Sequence, residues 1–232
     1  MFKENNFGRY LLYAIGEIFL VVVGILMALQ INNWNEKRKL QNELDSILRT
    51  ISYDLATDTL AASQIINYYE EHHKNSLKII NRTLNRENFR ECPACGALIT
   101  IYQPFTMQKR GFELLKNFSS QHNTQKDSLV IDITQFYPIL DELIKKSNDR
   151  LETDALNNFE SISKKPWFVD MIQGRINEEM ISYFLESEDY RQRVAAHDIL
   201  VSQNHLAYLK RYKNNAIEIL KLIQERFDEK NK

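Results

Sequence analysis

The sequence has few of the residues that interrupt helices. Only 6 Gly and 4 Pro are spread over 232 residues, and none occurs between Gly24 and Pro93. A β-rich fold needs tight turns, and this chain lacks most of the residues that form them. The composition therefore predicts an all-α protein.

The chain also lacks an excess of charge and any recognisable catalytic motif. Its formal net charge is -1, so no basic surface is indicated and we expect no nucleic-acid partner. It contains no G-x-S-x-G, H-E-x-x-H, G-x-G-x-x-G or Walker sequence. His197 and His205 are two helical turns apart, about 12 Å, which is too far for one metal without further ligands. We expect no enzyme activity, no metal and no cofactor.

What the sequence does contain is one long hydrophobic run near its start. The stretch YLLYAIGEIFLVVVGILMALQINNW, residues 10–34, carries a single charged residue, Glu17. Its apolar core approaches the roughly 20 residues that a bilayer-spanning helix needs. The run is too long for a signal peptide and has no small-x-small cleavage site. Aromatic residues at both ends, Tyr10 and Trp34, suit the two membrane interfaces. We therefore predict a short tail, residues 1–9, followed by an uncleaved transmembrane helix in the lipid bilayer.

A helical wheel places the acid of this run on a distinct face. The opposite face is wholly apolar and suits lipid. The face with the acid includes a small-xxx-small pair, which permits close approach of a second helix. The sequence thus predicts an interface with a second copy or with another membrane protein, formed by Tyr13, Glu17, Val21, Gly24 and Ala28.

Two roles for Glu17 remain open at this level. A protonated Glu17 could hydrogen-bond across the helix interface and hold an oligomer or a partner. Alternatively, Glu17 could handle protons or ions, because acids at membrane depth are costly and often mark such pathways. The second role also needs an oligomer or additional membrane subunits, since a single span offers too few groups for transport.

Beyond the span, the pattern predicts further helices. Apolar residues recur every three or four positions from Leu40 to Tyr69, interrupted by Asp58, which predicts that the first helix continues as a stalk over about residues 35–84. Together with three later helices, it predicts an antiparallel bundle of about four helices over residues 35–232. The later helices are predicted at 105–118, 127–159 with a kink or break at Pro138, and 187–227. Inward positions on the last helix are predicted to be Tyr190, Val194, Val201, Tyr208, Ile219 and Ile223.

The two cysteines lie together in the sequence CPACG. A local disulfide between Cys92 and Cys95, or two free thiols, is one interpretation, the disulfide being expected in an oxidising compartment. The motif also resembles half of a zinc knuckle, whose other ligands would have to come from His72, His73 or His122. A redox pair is the third interpretation, although the βαβ context of thioredoxin-like proteins is missing.

The N-terminal block YLLYAIGEIFLVVVGILMALQINNWNEKRK resembles an uncharacterised domain-of-unknown-function family of small single-span bacterial envelope proteins. Later segments such as SEDYRQRVAAHDILVSQNHLAYLKRY resemble it more loosely. Charges flanking the span are nearly balanced between the two sides. The resemblance therefore supplies the expected placement, a single pass through the bacterial inner membrane with the bundle in the periplasm. It implies no activity.

The sequence favours a membrane-anchored helical interaction or scaffold protein that oligomerises through its transmembrane helix. A sensory input that transmits small helix shifts is an alternative. A further alternative is an accessory subunit of an oligomeric ion channel or ion-driven complex that uses Glu17.

Overall fold

The computed structural model describes residues 6–122, 124 and 126–230, and these form helices without any β-strand. The all-α prediction is thereby confirmed. The α-helices, in chain order, are α1 (Asn6–Ile80), α2 (Arg110–Gln121), α3 (Ser128–Ser163), α4 (Phe168–Ile172), α5 (Glu178–Glu186), α6 (Glu188–Ile199) and α7 (Leu206–Lys230).

The first helix is a single element of 75 residues. The chain divides into two units between Ile47 and Leu48, and α1 has residues in both. It ends at Ile80, a turn earlier than the predicted Leu84. Arg82 adopts a left-handed conformation with φ 53°, and the Thr83 amide donates to the Lys78 carbonyl at 3.0 Å. This is a Schellman-type ending, built without the glycine that usually marks one.

The second unit has its core between long helical stretches. Helix α3 packs along α7, and α2 packs on α3. Pro138 lies inside α3 without ending it, so the predicted break does not occur. Its neighbour Tyr137 is fully buried and stacks on Phe112 of α2 with ring centroids 4.7 Å apart. These contacts cover the apolar sides of α2, α3 and α7, as the periodicity predicted.

The last long helix of the prediction is divided by a π-helical turn at Leu200–His205, between α6 and α7. A π turn adds residues to a helical turn and rotates the following face. Val194, before the turn, and Val201, within it, are buried as predicted. Downstream, Leu209 is fully buried and the predicted Tyr208 is only half-buried. The departure is confined to the start of α7, because Ile219 and Ile223 further along the helix are buried as predicted.

A smaller aromatic core surrounds the segment that follows α1. Two short 3₁₀ helices, Phe89–Glu91 and Pro93–Gly96, place apolar side chains against α5 and the start of α6. Phe184 contacts both Trp167 and Tyr190, with ring centroids 5.3 Å and 4.9 Å away. This core holds the cysteine turn in place.

Candidate functional site

The predicted membrane face lies on an exposed stretch of α1. The helical stretch Tyr10–Ile80 contains an apolar window that is long enough to cross a membrane. No residue of this window is buried against the rest of the described chain. Ile18, for example, is 64% exposed. Continuous exposed apolar surfaces of this kind are typical of contacts with a membrane or with another protein.

The five predicted interface residues follow one another at helical spacing along this stretch, and all of them are exposed. A Cβ added to Gly24 would meet nothing within 4 Å, so the surface beside it is open to a neighbouring helix. Glu17 makes no hydrogen bond or ion pair with any residue that the structure describes, including Tyr13, one turn away. The carboxyl on this face therefore has no partner within the described chain.

The structure joins Cys92 and Cys95 in a disulfide. Cys95 is fully buried, and the Tyr190 hydroxyl donates to its carbonyl. Within the described residues, no group of three or more His, Cys, Asp or Glu side chains is placed to hold a metal ion. His72, one of the suggested further ligands, is instead bonded through Nε2 to the Leu98 carbonyl at 2.7 Å.

Two carboxylates of α1 join it to other elements: Asp58, which the sequence showed only as an interruption of the apolar stripe, and Asp54, which was not singled out. Asp58 is buried, and its Oδ2 accepts from the Gln108 amide and the Tyr212 hydroxyl, both at 2.8 Å. One turn earlier, Asp54 Oδ2 accepts the Gly111 amide at 2.8 Å, placing a buried acid at the N-terminus of α2, where helix dipoles favour it. Burial raises the pKa of Asp58, and its hydrogen bonds oppose that shift. The signal for these residues was present in the sequence as acids on an apolar stripe.

Gly111 was not singled out by sequence, yet it fixes how closely α2 approaches α1. A Cβ at this position would lie 2.7 Å from the backbone nitrogen of Ile51 and 2.6 Å from its Cγ1. Backbone atoms cannot move aside as a flexible side chain can. Glycine is therefore required here for close packing rather than for an unusual φ angle.

Four of the five histidines gather around one part of the second unit. The rings of His72 and His197 have centroids 5.2 Å apart, and each histidine has its own partner. His197 Nδ1 contacts Asp154 Oδ2 at 2.7 Å, His73 Nδ1 contacts Asp198 at 2.8 Å, and the His205 ring contacts Ser147 Oγ at 2.8 Å. The sequence placed His72 and His73 on the first helix and His197 and His205 on the last, and it could not show that these two helices meet.

This cluster does not have the geometry of a catalytic site. The Ser147 and His205 pair resembles a nucleophile with its base, but Ser147 is only 4% exposed and donates its proton to the Ile144 carbonyl at 2.9 Å. Burial lowers the pKa of His205 to about 4 and also lowers that of His72. The rings of His205 and His72 are thus neutral near pH 7 and act as hydrogen-bonding core residues.

Comparison with known proteins gives a family but no activity. The family described as a family of unknown function, DUF6090, matches residues 17–190. No curated protein and no solved structure matches the chain. Since the match covers most of the chain, this protein belongs to DUF6090, and the resemblance seen in its N-terminal block is confirmed.

Proposed function

We propose that this DUF6090 protein is a single-pass membrane protein of the bacterial envelope whose span pairs with the span of a second copy. Its second unit, a bundle of about four helices in our proposal, presents a surface for protein partners and has no enzymatic role. The partners so proposed are the lipid bilayer and protein, without nucleic acid.

The observation that supports this function is Glu17. Its carboxyl group has no partner in the described chain and lies on an apolar helix. An acid in hydrocarbon is stable only when it meets protein or water. Gly24 and Ala28 lie about two and three turns away on the same face, where small side chains allow another backbone to approach. A second copy would bring the same residues and could share a proton between two Glu17 carboxyls.

The disulfide supports the proposed compartment. Disulfides persist in oxidising environments such as the bacterial periplasm and are rare in the cytosol. A bond between Cys92 and Cys95 therefore favours a second unit outside the cytoplasm. A β-lactamase fusion at the carboxyl end tests this placement. Ampicillin resistance supports a periplasmic unit, and sensitivity with normal expression contradicts it.

Cysteine cross-linking in isolated membranes tests the pairing. Gly24→Cys and Ala28→Cys should form covalent dimers on mild oxidation, whereas Leu26→Cys, on the opposite face, should not. The native cysteines are already paired with each other and form no intermolecular link. Equal cross-linking on both faces, or a strictly monomeric protein in mild detergent, would contradict the proposal.

Ion handling is the second candidate, and the same exposed carboxyl favours it. The substitution Glu17→Gln separates the two roles, because an amide can still hydrogen-bond across an interface but cannot bind and release a proton. Retained dimers together with lost proton flux in vesicles would support the ion role. If the parent and Glu17→Gln both form dimers and neither conducts protons, the result would support a structural role for Glu17 in the helix interface.

A further inference from the structure

A cavity of about 630 Å³ lies beside the cysteine turn. This volume is within the range of small-ligand sites in proteins. One wall is formed by the cysteine turn, and the base of the cavity is formed by residues of the aromatic core. The apolar side chains that line it are Phe89, Met171, Ile172, Ile176, Met180 and Phe184.

Part of this apolar lining is open to solvent. Ile172 is 66% exposed and Ile176 is 48% exposed, although both belong to the wall of a concave site. Exposed apolar surface in a concavity is a typical feature of a ligand site. An apolar body seated there would remove both side chains from water.

The charged residues that line the cavity are all basic. Its lining includes Arg90 and Arg175 and, among the residues described, no Asp or Glu. Arg175 is held in place by Asp170, whose Oδ1 accepts from its Nη2 at 2.6 Å and its Nε at 3.0 Å. Arg90 is exposed and makes no hydrogen bond or ion pair with any described residue. One guanidinium is therefore oriented by a neighbour, and the other is available to an anion.

Taken together, these features specify an amphiphile with one anionic end. A guanidinium presents paired N–H donors that match the two oxygens of a carboxylate. The cavity volume suits one apolar chain, and a two-chain lipid would leave much of its apolar surface outside.

We infer that this cavity binds a single-chain carboxylic acid of the fatty-acid class, with its carboxylate on Arg90 and its chain against Phe89 and Phe184. The site is separate from the proposed transmembrane pairing and does not depend on it.

Trp167 supplies the reporter for a binding experiment. It is buried, and its ring packs against Phe184 of the cavity wall. The only other tryptophan of the chain is Trp34, so the Trp34→Phe variant of the full chain, held in nanodiscs, isolates the Trp167 signal. Titration with octanoate should give a saturable fluorescence change. Octan-1-ol, which has the same chain without the charge, should bind about tenfold more weakly or worse.

Two pairs of variants make the assignment specific. Arg90→Gln should reduce octanoate affinity to the level of octanol and leave octanol binding unchanged, while the exposed Arg150→Gln, outside the cavity, should change neither. Ala97→Leu places a larger apolar side chain in the cavity and should weaken both, whereas Ala94→Leu, on the exposed side of the same turn, should change neither. Circular dichroism of each variant checks that it remains folded.

Three results would overturn the inference. The first is the absence of a saturable Trp167 change with octanoate beyond that of empty discs. The second is equal affinity for octanoate and octanol in the parent. The third is saturable binding of a short-chain phospholipid in place of octanoate, which would assign the cavity to another class of ligand.

Discussion

Protonation of His205 should destabilise the second unit below about pH 6. His205 is fully buried, and its Nε2 has no hydrogen-bond partner among the described residues. Because the Ser147 hydroxyl proton is directed to Ile144, His205 Nδ1 carries the ring proton and donates to Ser147 Oγ. A second proton would have to sit on Nε2 without a partner. The Gln103 carbonyl favours the charged ring slightly but makes no hydrogen bond to Nε2.

The magnitude follows from the two pKa values of His205. Burial lowers its pKa from 6.5 to about 4 in the folded protein. Between these values the unfolded chain binds a proton that the folded chain does not, so stability falls as the pH falls. The full difference corresponds to about 3 kcal/mol at 1.36 kcal/mol per pKa unit, of which roughly 2.5 kcal/mol is lost by pH 4.5. His72, whose pKa burial also lowers, acts in the same direction. Asp58, with a raised pKa, acts in the opposite direction.

Urea unfolding of the Trp34→Phe protein in nanodiscs, followed by Trp167 fluorescence, measures this effect from pH 8 to pH 4.5. His205→Phe removes the titrating ring. Between pH 8 and pH 4.5 the variant should therefore lose about 2.5 kcal/mol less of its free energy of unfolding than the parent protein loses. Ser147→Ala removes only the hydrogen bond and should keep most of the pH dependence, because burial is the main cause of the shift. The same pH dependence in His205→Phe and in the parent would refute the reasoning.

Three further predictions concern stability at neutral pH, each measured by the same urea unfolding. Gly111→Ala should cost about 3 kcal/mol, because its methyl group would meet the backbone of Ile51; a loss below about 1 kcal/mol would show that α2 can shift. Asp58→Ala should cost about 3 kcal/mol by leaving two buried donors without an acceptor, and Asp58→Asn should cost clearly less; equal losses would contradict this. Replacing Cys92 and Cys95 together by alanine should cost about 2 kcal/mol, the loop-closure value for so short a ring; unchanged stability would refute the entropic estimate.

Some features of the molecule could be predicted because they depend on local periodicity. The long apolar run and the 3.6-residue pattern after it specify helices whatever they pack against. The helical class and the exposed face with Glu17 therefore followed from residue spacing alone. The residues that share a face with Glu17 can be identified without knowledge of the tertiary structure, because residues three and four positions apart in a helix are neighbours.

Other features depend on contacts between distant segments and could not be predicted. The π turn at Leu200–His205 interrupts the regular period, so a constant period placed Tyr208 inward where the protein buries Leu209. The helix end at Ile80 uses Arg82 in a conformation that the sequence rarely signals. The histidine cluster arises only when α1, α3 and α6 come together. The cavity arises only when the cysteine turn meets α4 and α5.

Asp54 and Asp58 explain how a repetitive apolar helix reaches a single packing register. An apolar stripe with residues every three or four positions remains apolar after a slide of one turn, so hydrophobic contact alone discriminates weakly between registers. In the observed register, Asp54 accepts the Gly111 amide and Asp58 accepts the Gln108 amide. A slide of one turn would separate each acid from the amide that it accepts here, and each buried polar group left without a partner costs about 1–3 kcal/mol. The two acids thus penalise the alternative register more than they stabilise the native one.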